Sequence, residues 1–134
     1  MATVEKFEEL IAWQKARKFA HEIFELTCLD RFFRDFSIVD QIRRSSGSVM
    51  DNIAEGFGRG GNKEFIHFHF IANGSLFETK SQLYRAFDRK YITEEILSEK
   101  LDKADELAKV IGGLINYLQK SEFTGRKFNS KTKN

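Results

Sequence analysis

No proline occurs anywhere in the 134 residues. Proline is the commonest punctuation of turns and edge strands, so a chain without it has few places to break a helix. Long helices with short connections are therefore expected. Apolar residues recur every three or four positions through most of the sequence, as one face of a helix requires. The first run spans Phe7 to Cys28, on Phe7, Leu10/Ile11, Ala16, Phe19/Ala20, Ile23/Phe24 and Thr27. Leu29 to Arg34 interrupts the period and reads as a connection. A second helix is expected from Asp35 to Phe57 on Ile38, Ile42, Ser45/Ser46, Val49, Ile53 and Phe57, with Asp35 or Ser37 able to cap it. Gly58-Arg59-Gly60-Gly61 ends that helix. A third runs from the capping residue Asn62 to about Lys90. A fourth, capped by Thr93, is striped by Leu97, Leu101, Ala104, Leu107/Ala108, Ile111, Leu114/Ile115 and Leu118.

Four such helices joined by short loops predict an all-α, antiparallel up-down-up-down four-helix bundle over residues 1–120. Residues 121–134 (SEFTGRKFNSKTKN) are polar, basic and aperiodic, and read as a flexible tail. The 14 phenylalanines exclude a disordered chain, because burying them offsets the entropy of ordering it. A single cysteine cannot form an internal disulfide and suits a reducing cytoplasm. No apolar run is long enough to span a membrane, and the acidic start (Glu5, Glu8, Glu9) is unlike a signal peptide.

The third helix carries more apolar surface than one core contact needs. Phe65, Phe68, Ala72, Ser75/Leu76, Thr79, Leu83 and Ala86 form one stripe. Ile66, Phe70, Phe77 and Tyr84 form another, displaced around the cylinder, and this second stripe is expected to meet a copy of the same molecule. Small residues inside helices, Gly74-Ser75 and Gly112-Gly113, are expected to admit a close neighbour.

Enzymatic chemistry finds little support. Glu64-Phe65-Ile66-His67 matches one Glu-x-x-His motif, but a di-iron bundle needs two, and neither His21 nor His69 supplies the second. His67 and His69 point to different sides of a helix. No metal site or cofactor is expected. Arg17 with His21, and Arg59 with His67, miss the Arg-x(4–6)-His spacing of some helical ribonucleases. There is no Gly-x-Ser-x-Gly turn, and no phosphate loop set between a strand and a helix. No catalytic residues are assigned.

Binding is the better-supported class. Gln41, Arg44 and Ser48, with Asn52, Glu55 and Arg59, lie along one side of the second helix, while Ser75 and Glu78 share a face of the third. If those faces meet, Arg43 or Arg44 can pair with Glu55 or Glu78, and Asn52 can satisfy backbone groups. Gln41, Arg43, Arg44, Asn52, Glu55, Ser75 and Glu78 are thus expected to form a structural polar network that sets helix register. The net charge is only +2, ranging from −2 over 93–120 to +3 over 121–134. Nucleic-acid binding must therefore rest on local cations multiplied in an oligomer, for which Arg43, Arg44, Arg59, Lys63, Arg85, Arg89 and Lys90 are the candidates. Trp13 and Phe19, beside Lys15, Arg17 and Lys18, could stack bases, but core packing is the favoured reading of both.

The run Gln41-Ile-Arg-Arg-Ser-Ser-Gly-Ser-Val-Met-Asp-Asn-Ile-Ala-Glu-Gly-Phe-Gly-Arg59 carries a recognisable signature. So do Phe65, Ala72-Asn-Gly-Ser-Leu-Phe-Glu78 and the opening Phe7-Glu-Glu-Leu-Ile-Ala-Trp-Gln-Lys-Ala16. Together, over roughly residues 7–120, they resemble the bacterial four-helix bundle family first noted as reading frames in intervening sequences of 23S ribosomal RNA genes. Its relatives include the accessory variability determinant of diversity-generating retroelements. Where the family usually has a proline before Asn-Ile-Ala-Glu-Gly, this chain has Met50 or Asp51; before the second helix it has Arg34-Asp35-Phe36. The resemblance implies a homopentamer without known catalysis and, from the retroelement relative, a basic surface for RNA or DNA and for a reverse transcriptase. The expected function is a cytoplasmic, self-assembling scaffold that engages structured RNA or a nucleic-acid-handling partner through a basic rim. The alternative is a protein-interaction adaptor with no nucleic-acid contact.

Overall fold

In the computed structural model, residues 4–132 are described, with side chains through Lys120. A short 3-10 turn, Phe7–Glu9, precedes α1 (Ile11–Thr27); then follow α2 (Asp30–Phe33), α3 (Phe36–Gly58), α4 (Asn62–Asp88) and α5 (Glu94–Thr132). The described residues contain no strand. α2 is one turn of helix inside the expected connection, and it brings Phe32 fully into the core. α5 continues to Thr132, so the backbone of 121–132 is helical where the sequence reads as a tail. No proline stands in its way, and each added residue gains one helical hydrogen bond. Residues 133–134 lie outside the described residues.

The helix ends follow their local chemistry. Gly60 adopts φ +84° after α3, a left-handed turn that side chains disfavour, and Gly61 rather than Asn62 holds the cap position of α4. Thr93 Oγ1 accepts the Ile96 amide at 3.2 Å and caps α5. Asp35 occupies the cap position of α3 without capping it through its side chain. Its carboxylate instead accepts from Arg89 Nη1 at 2.8 Å and the Tyr91 hydroxyl at 2.7 Å, fixing the start of α3 to the end of α4.

Each long helix packs against two others, in the cycle α1, α3, α4, α5 and back to α1. The core is mainly aliphatic: Ile23, Ile38, Ile42, Val49, Ile53, Leu76, Leu83, Leu107 and Ile111 are essentially inaccessible. Among the phenylalanines whose side chains are described, only Phe19 and Phe32 are buried. Phe7, Phe57, Phe65 and Phe87 close the seams, while Phe24, Phe33, Phe36, Phe70 and Phe77 face outward. The aromatic content therefore contributes more to surface than its number implied.

The α3–α4 seam is the most extensive and the most polar inside. Ser45 Oγ donates to Gln82 Oε1 at 2.6 Å and lies 2.7 Å from Thr79 Oγ1, all three residues being buried. One turn and more along, Ser48 and Ser75 hydroxyls meet at 3.0 Å. In the other direction Arg85 Nη1 donates to Gln41 Oε1 at 2.9 Å. Residue numbers thus fall on one helix as they rise on the other. Close approach is enforced at Gly56, where a Cβ would sit 2.8 Å from Phe68 Cβ and 3.2 Å from Phe65 Cδ1. Gly74, Gly112 and Gly113 play no such part, because a Cβ at each would meet nothing within 4 Å. Their expected role as contact points is corrected: they lie off the buried faces of α4 and α5, where no helix comes near.

Gly56→Ala and Gly113→Ala should therefore shift stability in opposite directions. Alanine relieves the helix of about 1 kcal/mol at either site, but at Gly56 overpacking against Phe65 and Phe68 outweighs it, on the scale of about 1–3 kcal/mol. Thermal unfolding should show a lowered midpoint for Gly56→Ala and a raised one for Gly113→Ala. Equal shifts would refute the close approach.

Candidate functional site

A polar network lies along the α3–α4 seam, with other members and partners than those expected. Gln41, Ser45, Ser48 and Asn52 lie on the flank of α3 that meets α4, and Asn52 Nδ2 donates to Ser48 O and Oγ at 2.8 Å. Ser75 joins through Ser48, and Glu78 accepts from Gln82 Nε2 at 3.3 Å. Neither Arg43 nor Arg44 pairs with Glu55 or Glu78. Arg43 lies two positions from Gln41, about 200° around the helix, so it faces α1. There its Nε donates to Thr27 Oγ1 at 2.9 Å, and the guanidinium covers the Phe24 ring at 4.4 Å. Arg44 pairs with Asp40, and Glu55 with Arg59, each one turn away on α3 itself. Thr79 and Gln82, which sequence reasoning placed in no network, supply its buried centre. Their alignment with Ser75 at steps of four and three was the available signal.

The candidate cations do not form one patch. Arg59 and Lys63 flank the α3–α4 turn, whereas Arg85, Arg89 and Lys90 lie about 22 to 27 residues along from Lys63, roughly 33–40 Å away at helical rise. Several are compensated within the chain. Arg44 meets Asp40 at 3.1 Å, Arg59 meets Glu55 at 2.9 Å and Arg89 meets Asp35 at 2.8 Å, while Arg85 donates to the neutral Gln41 and keeps its charge. The hydrogen bond from Tyr91 and the nearby Arg89 hold the Asp35 carboxyl below the usual range, and the same bond raises Tyr91. Asp35 is thus a committed anion at neutral pH.

The second stripe of α4 is largely exposed. Phe70, Phe77 and Tyr84 are 54, 52 and 51% accessible, at steps of seven along the side of α4 next to α5. Lys80 Nζ lies 5.1 Å from the Phe77 ring centre and pairs with Asp105 of α5. Ile66 is a correction: it is 9% accessible and belongs to the core. Ile66 lies fourteen residues before Lys80 on α4 and belongs to the same core cluster as Ile115 and Leu118 of α5.

A groove that sequence reasoning did not identify lies between α1 and α3, on the edge of the helix cycle opposite the stripe. It is open, has a volume of about 660 Å³, and is lined by Arg17, Lys18, His21, Phe24, Arg43 and Met50 over a floor of Ala20, Ser46 and Gly47. Phe24, assigned by periodicity to the core, is its exposed aromatic wall. Phe33 and Phe36, packed edge to face at 6.3 Å, extend the apolar surface beyond its end. The signal was present in α1, where Gln14, Arg17/Lys18, His21 and Phe24 recur at helical spacing. Phe19 is core, and Trp13 is half-buried against Phe7, with Arg17 at 5.6 Å from its ring.

Among the described residues no group of three or more His, Cys, Asp or Glu could hold a metal ion, and no helix is long and apolar enough to cross a membrane. His69 is fully buried. One ring nitrogen, Nδ1, lies 2.8 Å from Phe65 O, while Nε2 has no partner, and Asn73 Oδ1 one turn on is likewise unsatisfied. Desolvation lowers the His69 pKa, so the folded protein holds it neutral. The unfolded chain takes up this proton near pH 6.5. Stability should therefore fall as pH drops below that value, by at most about 1.4 kcal/mol per pH unit for one proton. Denaturant unfolding between pH 7.5 and 5 should show this slope reduced in His69→Gln; an identical slope in the variant would remove His69 as its source.

The family described as 23S rRNA-intervening sequence protein matches residues 8–113. A crystal structure of a protein with unknown function from the S23 ribosomal protein family of Bacteroides thetaiotaomicron VPI-5482 is 25% identical, with a TM-score of 0.71, covering 78% of this chain and 98% of that one. No curated protein matches the chain. With the match spanning most of the chain and including the Gln41–Arg59 signature and the outward-facing α4 segment, the protein belongs to the 23S rRNA-intervening sequence protein family.

Proposed function

We propose that this protein is a non-enzymatic, self-assembling scaffold of the cytoplasm, an antiparallel up-down-up-down bundle that associates with copies of itself through α4. The opposed numbering of the α3–α4 bonds, and of Lys15 with Glu106 and Lys100 with Glu22 between α1 and α5, supports that topology. The observation that carries the assembly is the triplet Phe70, Phe77 and Tyr84. Three large aromatic side chains, aligned and half exposed on one helix, are an apolar face that water disfavours and a partner covers. Five copies are the number implied by the family resemblance.

Phe77→Glu tests this directly. A carboxylate at the centre of the covered face must be desolvated without a partner. Light scattering should show the wild type as an oligomer and the variant as a single chain of 15.6 kDa with unchanged helical content. An unaltered oligomer would remove α4 from the interface.

Engagement of structured RNA, or of a nucleic-acid-handling partner such as a reverse transcriptase, is a second reading. The exposed cations at both ends of the bundle are what favour it. Its cations would be Arg59 and Lys63 at one end of the bundle and Arg85, Arg89 and Lys90 at the other, repeated around the assembly. Because several arginines already have carboxylate partners, the gain from released counterions per copy is small, and binding depends on the oligomer. The expected signature is an RNA affinity that falls steeply with salt and is lost on combining Arg59→Glu with Arg89→Glu. Undetectable binding at low salt would leave the adaptor function, with assembled bundles presenting their surfaces to proteins alone.

A further inference from the structure

The groove between α1 and α3 shares no residue with the outer face of α4 or with the cations assigned above to RNA. We infer that it is a docking site for an acidic amphipathic helix of another protein, about three turns long. Its evidence is independent of the self-association proposed for α4.

Charge identifies the occupant as an anion. Arg34, Arg44, Arg59 and Arg89 each reach a carboxylate of this chain at 3.1 Å or less. Arg17 on the α1 rim and Arg43 on the α3 rim pair with none among the described residues, and no carboxylate lines the groove. Arg43 is fixed instead by the Thr27 hydroxyl at 2.9 Å and by the Phe24 and Phe33 rings at 4.4 and 6.0 Å. Those contacts orient the guanidinium and leave its charge intact. Arg17 lies over Trp13 in the same way, and Lys18 adds a third cation to the α1 rim. Glu25, next to Phe24, pairs with His21 at 3.4 Å. Uncompensated cations on both rims match carboxylates on both flanks of whatever enters.

The space between the rims is apolar. Phe24 and Met50 stand at its two ends, and the floor is Ala20, Ser46 and Gly47, with the Ser46 hydroxyl donated to Ile42 O at 2.7 Å. Small residues between large ones leave holes that the side chains of a third helix can fill. Past Phe24 the surface continues over Phe33 and Phe36, the latter 74% exposed. This pattern favours a peptide over a nucleic acid. A polyanion is held by cations along its path, whereas this path ends in apolar rings, with Arg34 beside them already held by Asp30. A helix with leucine or aromatic residues in one stripe and acidic residues on either side meets floor, rings and rims together. From Gln14 to Phe24 the groove runs about 15 Å, the length of about ten helical residues.

A displayed library of random 15-residue peptides, selected on the full chain, tests this. The wild type should enrich sequences with Leu, Phe or Trp at steps of three and four, flanked by Asp and Glu. The enriched peptide, synthesised with a fluorescent label, should bind Arg17→Glu/Lys18→Glu at least tenfold more weakly by anisotropy. It should not bind Gly47→Trp, since a Cβ at Gly47 meets nothing within 4 Å and the indole fills the groove floor. Both variants should keep the wild-type circular dichroism and the wild-type mass by light scattering, because α4 is untouched. Enrichment of basic or neutral peptides, or equal binding to wild type and variants, overturns the inference. So does a 15-nucleotide oligouridine that binds more tightly than the peptide and is lost in the same variants. A fall in mass in either folded variant makes the groove a contact between copies and overturns it as well. Should Gly47→Trp not fold, Arg17→Glu/Lys18→Glu, exposed on α1, decides alone. An oligomer unaltered by Phe77→Glu would remove the α4 interface and leave this site standing.

Discussion

The hydroxyl-lined contact between α3 and α4 is the constraint on which the remaining architecture depends. Ser45, Thr79 and Gln82 are buried, and their polar atoms would each cost about 1–3 kcal/mol if left unpaired there. They are satisfied across the seam with Ser45 opposite both Thr79 and Gln82. Gly56 sets the spacing at the other end, since the Phe65 and Phe68 side chains occupy the space a Cβ would need. Once α3 and α4 are locked, the side of α4 facing α5 and the side of α3 facing α1 are fixed as well. The outward ridge and the groove are consequences of this seam, being what the two helices present away from it.

Much of the fold was legible in the sequence because its signals are local. The absence of proline, the glycine run after Phe57, Thr93 and the three-and-four spacing mark four long helices to within a few residues. Asp35 holds the cap position expected of it, but a short polar side chain before a helix has two uses. A sequence displays the local one, whereas Arg89 and Tyr91 compete for it from more than fifty residues away. Ile66 shows the same limit. It shares a helical flank with Tyr84 yet is buried in the core, a difference that the periodicity of α4 does not contain.

The candidate site was legible by residue type and poorly legible by arrangement. The arginines were visible, but their partners follow from angular position. Two residues' separation sends Arg43 to α1 and Gln41 to α4, and one helical turn gives Arg44 and Arg59 their carboxylates. The phenylalanines were visible as well, and their number suggested a core. The interior instead took the aliphatic side chains and small residues that allow helices to approach closely, displacing rings to the seams and surface. That displacement gives this bundle a surface capable of association.

Charge compensation bears on what kind of association that is. Where Arg44, Arg59 and Arg89 are held by carboxylates of their own chain, they contribute little long-range field, and exposed pairs of this kind add about 0–1 kcal/mol to stability. The groove differs, because Arg43 is fixed by a hydroxyl and by rings, which orient a guanidinium without neutralising it. Its charge is available to any electron-rich face that enters. A contact built from rings against oriented cations is less sensitive to salt than one built from phosphates against lysines, since no condensed counterions are released when it forms. Ionic strength therefore separates the two kinds of association physically, because contacts between rings and oriented cations persist at salt concentrations where attachment to a polyanion is lost.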